Sequence, residues 1–145
     1  MPLIIDLKPS EKFIVNGAVV ENASSNTKIR ILNDCSILRQ KEILADSDCV
    51  TPASRIYFAL QCAYIFEAHR EQHIKAFRDY LKGYLDACPS AASLGGEITQ
   101  AVDKGQYYHG LRLTRDLLKH EAQVLDAMQR GLQEQLRANQ TGEGS

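Results

Sequence analysis

Two histidines, His69 and His73, stand four residues apart in the run His69-Arg70-Glu71-Gln72-His73. On a helix that spacing puts both imidazoles on one face, where they can hold an edge of a metal ion. The hydrolytic form of the pattern needs a Glu directly after the first His, to act as base, and Arg70 stands there instead. A solvated helix face carrying a Glu71–Lys75 pair is the better reading, because such pairs add only about 0.2–0.5 kcal/mol and are common on exposed helices. Cys35, Cys49, Cys62 and Cys88 are scattered, with no Cys-x-x-Cys and no histidine at ligand spacing. Reduced, mostly buried thiols are expected rather than a zinc site. Gly95-Gly96 lacks the Lys-Ser/Thr of a phosphate loop, and no nucleophile elbow or converging acid and base is visible. No metal, cofactor or enzymatic activity is expected.

Side chains that could hold a nucleic acid are easier to find. Single-stranded RNA is often held on aromatic faces, and the chain has six tyrosines. Tyr57, Tyr64 and Tyr84 fall close to the apolar stripes of helices, so core packing is the better reading for them. The cations Lys8, Lys12, Lys28, Arg30, Arg39 and Lys41 all lie in the first third of the chain, interspersed with Asp6, Glu11, Glu21, Asp34 and Glu42. Composition alone favours a solvated sheet face there. A few well-placed Arg and Lys residues at strand edges can nevertheless hold one phosphate track.

These residues sit on a chain of 145 residues with 17 Lys and Arg against 18 Asp and Glu. That suits one main core and excludes a gross basic excess, so any nucleic-acid site must be local. No apolar run approaches the length of a signal peptide or membrane span, and a cytoplasmic location is expected.

Two halves must position the candidate residues. Leu3, Ile5 and Leu7 alternate with Ile4 and Asp6 as a first strand. Phe13-Ile14-Val15 and Ala18-Val19-Val20 flank Asn16-Gly17, a dipeptide that tolerates the positive φ angles of a two-residue hairpin. Lys28 to Leu32 buries Ile29 and Ile31 and turns Lys28 and Arg30 outward. A last strand over Ser36 to Gln40 carries Arg39. Five such strands make one very small sheet, which needs cover.

From Thr51 the pattern becomes helical, with Thr51 as N-cap and Pro52 in the first turn. One long helix is expected to about Asp86, striped by Ile56, Leu60, Ala63, Ile74, Phe77, Leu81 and Leu85. A short helix within Glu97 to Lys104 stops at Gly105, and a second long helix runs from Tyr107 to Arg137. Leu111, Leu118, Leu125 and Leu132 repeat there every seven residues. The two long helices are expected to pair antiparallel.

The block Leu7-Lys8-Pro9-Ser10-Glu11-Lys12-Phe13-Ile14-Val15-Asn16-Gly17-Ala18-Val19, the block Ser36-Ile37-Leu38-Arg39-Gln40-Lys41-Glu42-Ile43 and the block Thr51-Pro52-Ala53-Ser54-Arg55-Ile56-Tyr57-Phe58 together resemble the FlbT family. The resemblance implies a flagellar regulator of α-proteobacterial type, without enzyme activity, that associates with the 5′ untranslated region of flagellin messenger RNA and favours its degradation. It also implies a FlaF-type protein partner. The first third alone is similar, in the order of its strands, to the CsrA family of small β proteins that bind messenger leaders. In that family the first and last strands of partnered subunits lie side by side, which makes Leu3, Ile4, Asp6 and Arg39 neighbours and Arg39 the main RNA contact.

The expected architecture is α+β: a small CsrA-like antiparallel β domain over residues 1–48, a helical domain over 51–138 with two long antiparallel helices, and a disordered tail over 139–145. The RNA-binding residues are expected to be Leu3, Ile4, Lys8, Lys28, Arg30, Arg39 and Lys41. A homodimer is favoured by the leucine repeat and by the small sheet's need for cover. The rival reading is an adaptor or chaperone that holds flagellin or a flagellar regulator in a helical groove and acts on the message indirectly.

Overall fold

The computed structural model describes residues 3–142. The fold is α+β, an antiparallel β region followed by helices, and it forms two compact units, one ending at Gly83 and the other starting at Tyr84.

The strands are β1 (Leu3–Leu7), β2 (Lys12–Val15), β3 (Ala18–Glu21), β4 (Thr27–Ile31) and β5 (Ile37–Arg39). They form two small sheets where the sequence suggests one. β1 pairs antiparallel with β4, and a second sheet has the order β3-β2-β5. Neither sheet is self-sufficient at this size. Ile5, Leu7 and Phe13 are buried in a shared cluster, with Val15, Ile29, Ile31 and Ile37 packed against it, so the strands of each sheet cover the other.

The hairpin between β2 and β3 forms as its residues dictate. Asn16 and Gly17 both take positive φ, 48° and 87°, and Val15 pairs with Ala18 across the turn.

Thr51 caps α1 (Pro52–Ile65) by accepting from the Ser54 N–H at 3.2 Å, and the Ser54 hydroxyl accepts the Thr51 N–H in return at 2.8 Å. The single long helix expected to Asp86 is instead two. The chain leaves helical geometry at Phe66, passes through one 3-10 turn over Glu67–His69, and re-enters as α2 (Arg70–Ala87).

No Gly or Pro marks the break. Two contacts hold the chain in this turn. Gly17 lies against the Phe66 ring and the Ile65 carbonyl so closely that a Cβ would sit 3.2 Å from the ring. The Arg70 Nε–H donates to the Ala63 carbonyl at 2.9 Å, satisfying an acceptor at the interrupted end of α1.

In the second unit, α3 (Ala92–Asp103) starts earlier than its periodicity suggests and includes Gly95-Gly96. Gly95 is buried under Leu85, whose side chain occupies the space a Cβ would need. Gly105, at φ 75°, ends the element. Helix α4 (Tyr107–Gly142) buries Leu111, Thr114 and Leu117, and runs past Arg137 to Gly142. Residues 143–145, in the expected disordered tail, lie outside the described residues. No helix among the described residues is long and apolar enough to cross a membrane.

Candidate nucleic-acid interface

The turn between β1 and β2 sets the shape of the site. Pro9-Ser10 reverses the chain, with Ser10 at φ 65°, and the Glu11 N–H donates to the Lys8 carbonyl at 3.1 Å. Glu11 closes the turn from its side chain as well, its Oε1 accepting the Lys8 N–H at 3.1 Å. This backbone donor, with help from the Arg39 guanidinium, holds the Glu11 carboxyl below its ordinary range against an opposing push from desolvation. Glu11 is therefore a fixed anion at neutral pH.

Arg39, at the end of β5, reaches back across both sheets. Its Nη2 donates to the Asp6 carbonyl at 2.6 Å and to Glu11 Oε2 at 3.3 Å, while its backbone N–H donates to Glu42 Oε1 at 3.0 Å. Arg39 and Asp6 thus meet inside one chain. The Arg39 Nε is buried without a hydrogen-bond partner, and the side chain as a whole is 38% exposed.

Two open grooves flank this turn. One, of about 690 Å³, is lined by Lys8, Glu11, Arg39, Gln40 and Lys41 together with Pro9 and Ser10. The other, of about 460 Å³, is lined by Asp6, Leu7, Lys8, Pro9, Asn26, Thr27 and Lys28. Lys8 belongs to both. In the first groove three cations face one anion. In the second, Lys28 lies 3.8 Å from Asp6, but both side chains are largely exposed, so the pairing is weak.

Of the remaining sequence candidates, Ile4 and Arg30 sit opposite one another on the outward face of the β1–β4 ribbon, one step beyond the Asp6–Lys28 pair on that face. Arg30 extends the cationic side of the ribbon, and neither residue lines either of these two grooves. Leu3 is 49% exposed at the start of β1, but alternation puts it on the same face as the buried Ile5 and Leu7.

One face of α1, unmarked by any local motif, anchors β5 and the segment after it. Tyr57 donates to the Glu42 carbonyl at 2.5 Å. Gln61 makes a paired contact with Leu44, accepting its N–H at 2.8 Å and donating to its carbonyl at 2.9 Å. Tyr64 accepts the Ile37 N–H at 3.0 Å. These three residues lie at i, i+4 and i+7 on one helix face, and they fix the strand that carries Arg39 and the 3-10 turn that carries Lys41. Gln40, whose Oε1 accepts the Lys12 N–H at 2.7 Å, was also invisible without the fold. Tyr57 and Tyr84 are buried and Tyr64 is half-buried, as the core reading has it.

The two histidines do not share a continuous helix. His69 falls in the 3-10 turn and His73 in α2, where its ring lies 6.4 Å from that of Phe66. Among the four thiols Cys62 is buried and the others half-buried, and burial pushes the Cys62 thiol up in pKa.

The family described as "Flagellar protein FlbT" matches residues 3–125, a span that takes in both grooves and their anchoring helix. This chain belongs to the FlbT family. A protein of Caulobacter sp. (strain K31), named probable flagellum biosynthesis repressor protein FlbT, is 35% identical over 127 residues, covering 86% of this chain and 97% of the relative. The flagellum biosynthesis repressor protein FlbT of Caulobacter vibrioides (strain ATCC 19089 / CIP 103742 / CB 15) is 33% identical over 134 residues, covering 91% and 95%. A protein of Rhodopseudomonas palustris (strain TIE-1), also named probable flagellum biosynthesis repressor protein FlbT, is 32% identical over 129 residues, covering 86% and 98%. No solved structure matches the chain. The FlbT match ends at Leu125, whereas α4 continues to Gly142.

Proposed function

We propose that this FlbT-family protein is a repressor of flagellum biosynthesis acting in the cytoplasm, and that it binds the 5′ untranslated region of flagellin messenger RNA along its β region and promotes degradation of the message. The repressor role is supported by the names of its relatives. The RNA role is carried by one observation: Lys8, Arg39 and Lys41 line one groove while Lys8 and Lys28 line the next.

A single strand laid across Lys8 meets cations on both sides of the turn. Lysines supply flexible point charges for phosphates, and the anchored Arg39 supplies a fixed planar donor. Arg30 prolongs the track along the ribbon, with Ile4 beside it as an apolar contact. Since the protein as a whole is nearly neutral, phosphate binding is confined to this track rather than spread over the surface.

The test is titration of purified protein onto a flagellin leader RNA, comparing wild type with Lys8→Ala/Lys41→Ala. Both residues are exposed and take no part in the core, so the double variant keeps its fold. The expected result is a loss of affinity of about tenfold or more, the effect of removing two phosphate contacts. Unchanged binding would rule out the grooves as the RNA site.

A further inference from the structure

Beyond Glu121, α4 buries almost no side-chain surface over the residues to Gln140. From Ala122 to Gln140 every side chain is exposed except Val124, which is half-buried. Yet this stretch carries an apolar stripe. Leu125, Met128, Leu132 and Leu136 follow one another at spacings of three and four and are 51%, 62%, 59% and 60% exposed. Most helical stability comes from packing an apolar face, and Gly131 in the interior of this stretch weakens it further.

We propose that a second copy of this chain covers the stripe, joining two protomers through the distal halves of their α4 helices. The rim of the stripe favours a copy of itself over a charge-selected partner. Ala122, Val124, Gln129, Gly131, Gln133 and Gln135 flank it, and none is charged.

The charged residues Asp126, Arg130, Glu134 and Arg137 lie on the opposite side of the helix, two acids against two bases, with Asp126 bonded to Arg130 at 2.6 Å. Two such faces do not repel, and neither offers the charged border by which a foreign helix would be selected.

The order of the stripe is also compatible with a two-fold axis. In an antiparallel pair centred between Met128 and Leu132, the Leu125 end of one stripe meets the Leu136 end of the other, and the two middle residues interdigitate. That is an isologous contact, which closes at two copies.

Pairing about 20 residues, roughly 30 Å of helix, buries on the order of 1,000 Å² in total. This is the lower bound for a specific interface, so the dimer is expected to dissociate in the micromolar range.

Sedimentation equilibrium of the full chain from about 1 to 100 µM tests the proposal. The expected result is a concentration-dependent monomer–dimer equilibrium for wild type and for the opposite-face control Glu134→Gln, with Leu125→Glu/Leu132→Glu monomeric throughout. Because both leucines are exposed in the protomer, circular dichroism of the double variant should still show the folded protein. A wild type that stays monomeric at 100 µM, or a dimer that survives the double substitution, would overturn the proposal.

Discussion

Arg39 holds the β region together as much as it offers charge to a ligand. Its guanidinium ties the Asp6 carbonyl of β1 to Glu11 just before β2, and its Nε is already desolvated without a partner. Loss of RNA binding in Arg39→Ala alone would thus mix two effects, and the exposed lysines make the cleaner probes. Glu11 gives a pH signature. Its carboxyl is held below its ordinary value of 4.5 in the folded protein, so ionised Glu11 stabilises the fold above that pH, and its contribution is lost as pH falls through the folded value. In acid denaturation curves, Glu11→Gln is expected to show a shallower loss of stability below about pH 4.5 than wild type does. Gln61 has a different signature, independent of pH. Gln61→Ala strips both partners from the Leu44 backbone and should cost about 1–3 kcal/mol in urea denaturation. Neither role is written in the local sequence. Gln61 looks like an ordinary polar residue on a helix, and only the fold brings it to a backbone segment 17 residues earlier.

Elements were legible wherever local chemistry decides them. Asn16-Gly17 specifies its hairpin, Thr51-Pro52 starts its helix, and alternation in β4 turns Ile29 and Ile31 inward and Lys28 and Arg30 outward. The division into two sheets was not legible, because alternation tells a strand which face to bury but not which neighbour to choose. The break at Phe66 was hidden for a related reason: it packs against Gly17, some fifty positions earlier, with no Gly or Pro at the break itself. Gly17→Ala tests that link. A side chain there meets both a left-handed backbone and the Phe66 ring, and the variant should lose about 1–2 kcal/mol, the cost of left-handed geometry alone, or more if Phe66 cannot move.

At the scale of the whole molecule, a chain of net charge −1 can hold RNA only if its cations are gathered, and Lys8, Lys28, Arg39 and Lys41 are gathered around one turn. The sequence located these cations in one half of the chain but could not show that Lys8 joins two grooves, since that depends on the Pro9-Ser10 reversal. Direct RNA recognition by this surface is tested by the salt dependence of leader binding. With three or four phosphates contacted on a single strand, log K should fall with log salt at a slope of about −2 to −3, roughly a twenty- to sixtyfold weakening between 50 and 200 mM. A slope near zero, or no binding of the leader by the purified protein at low salt, would rule out direct recognition by these cations.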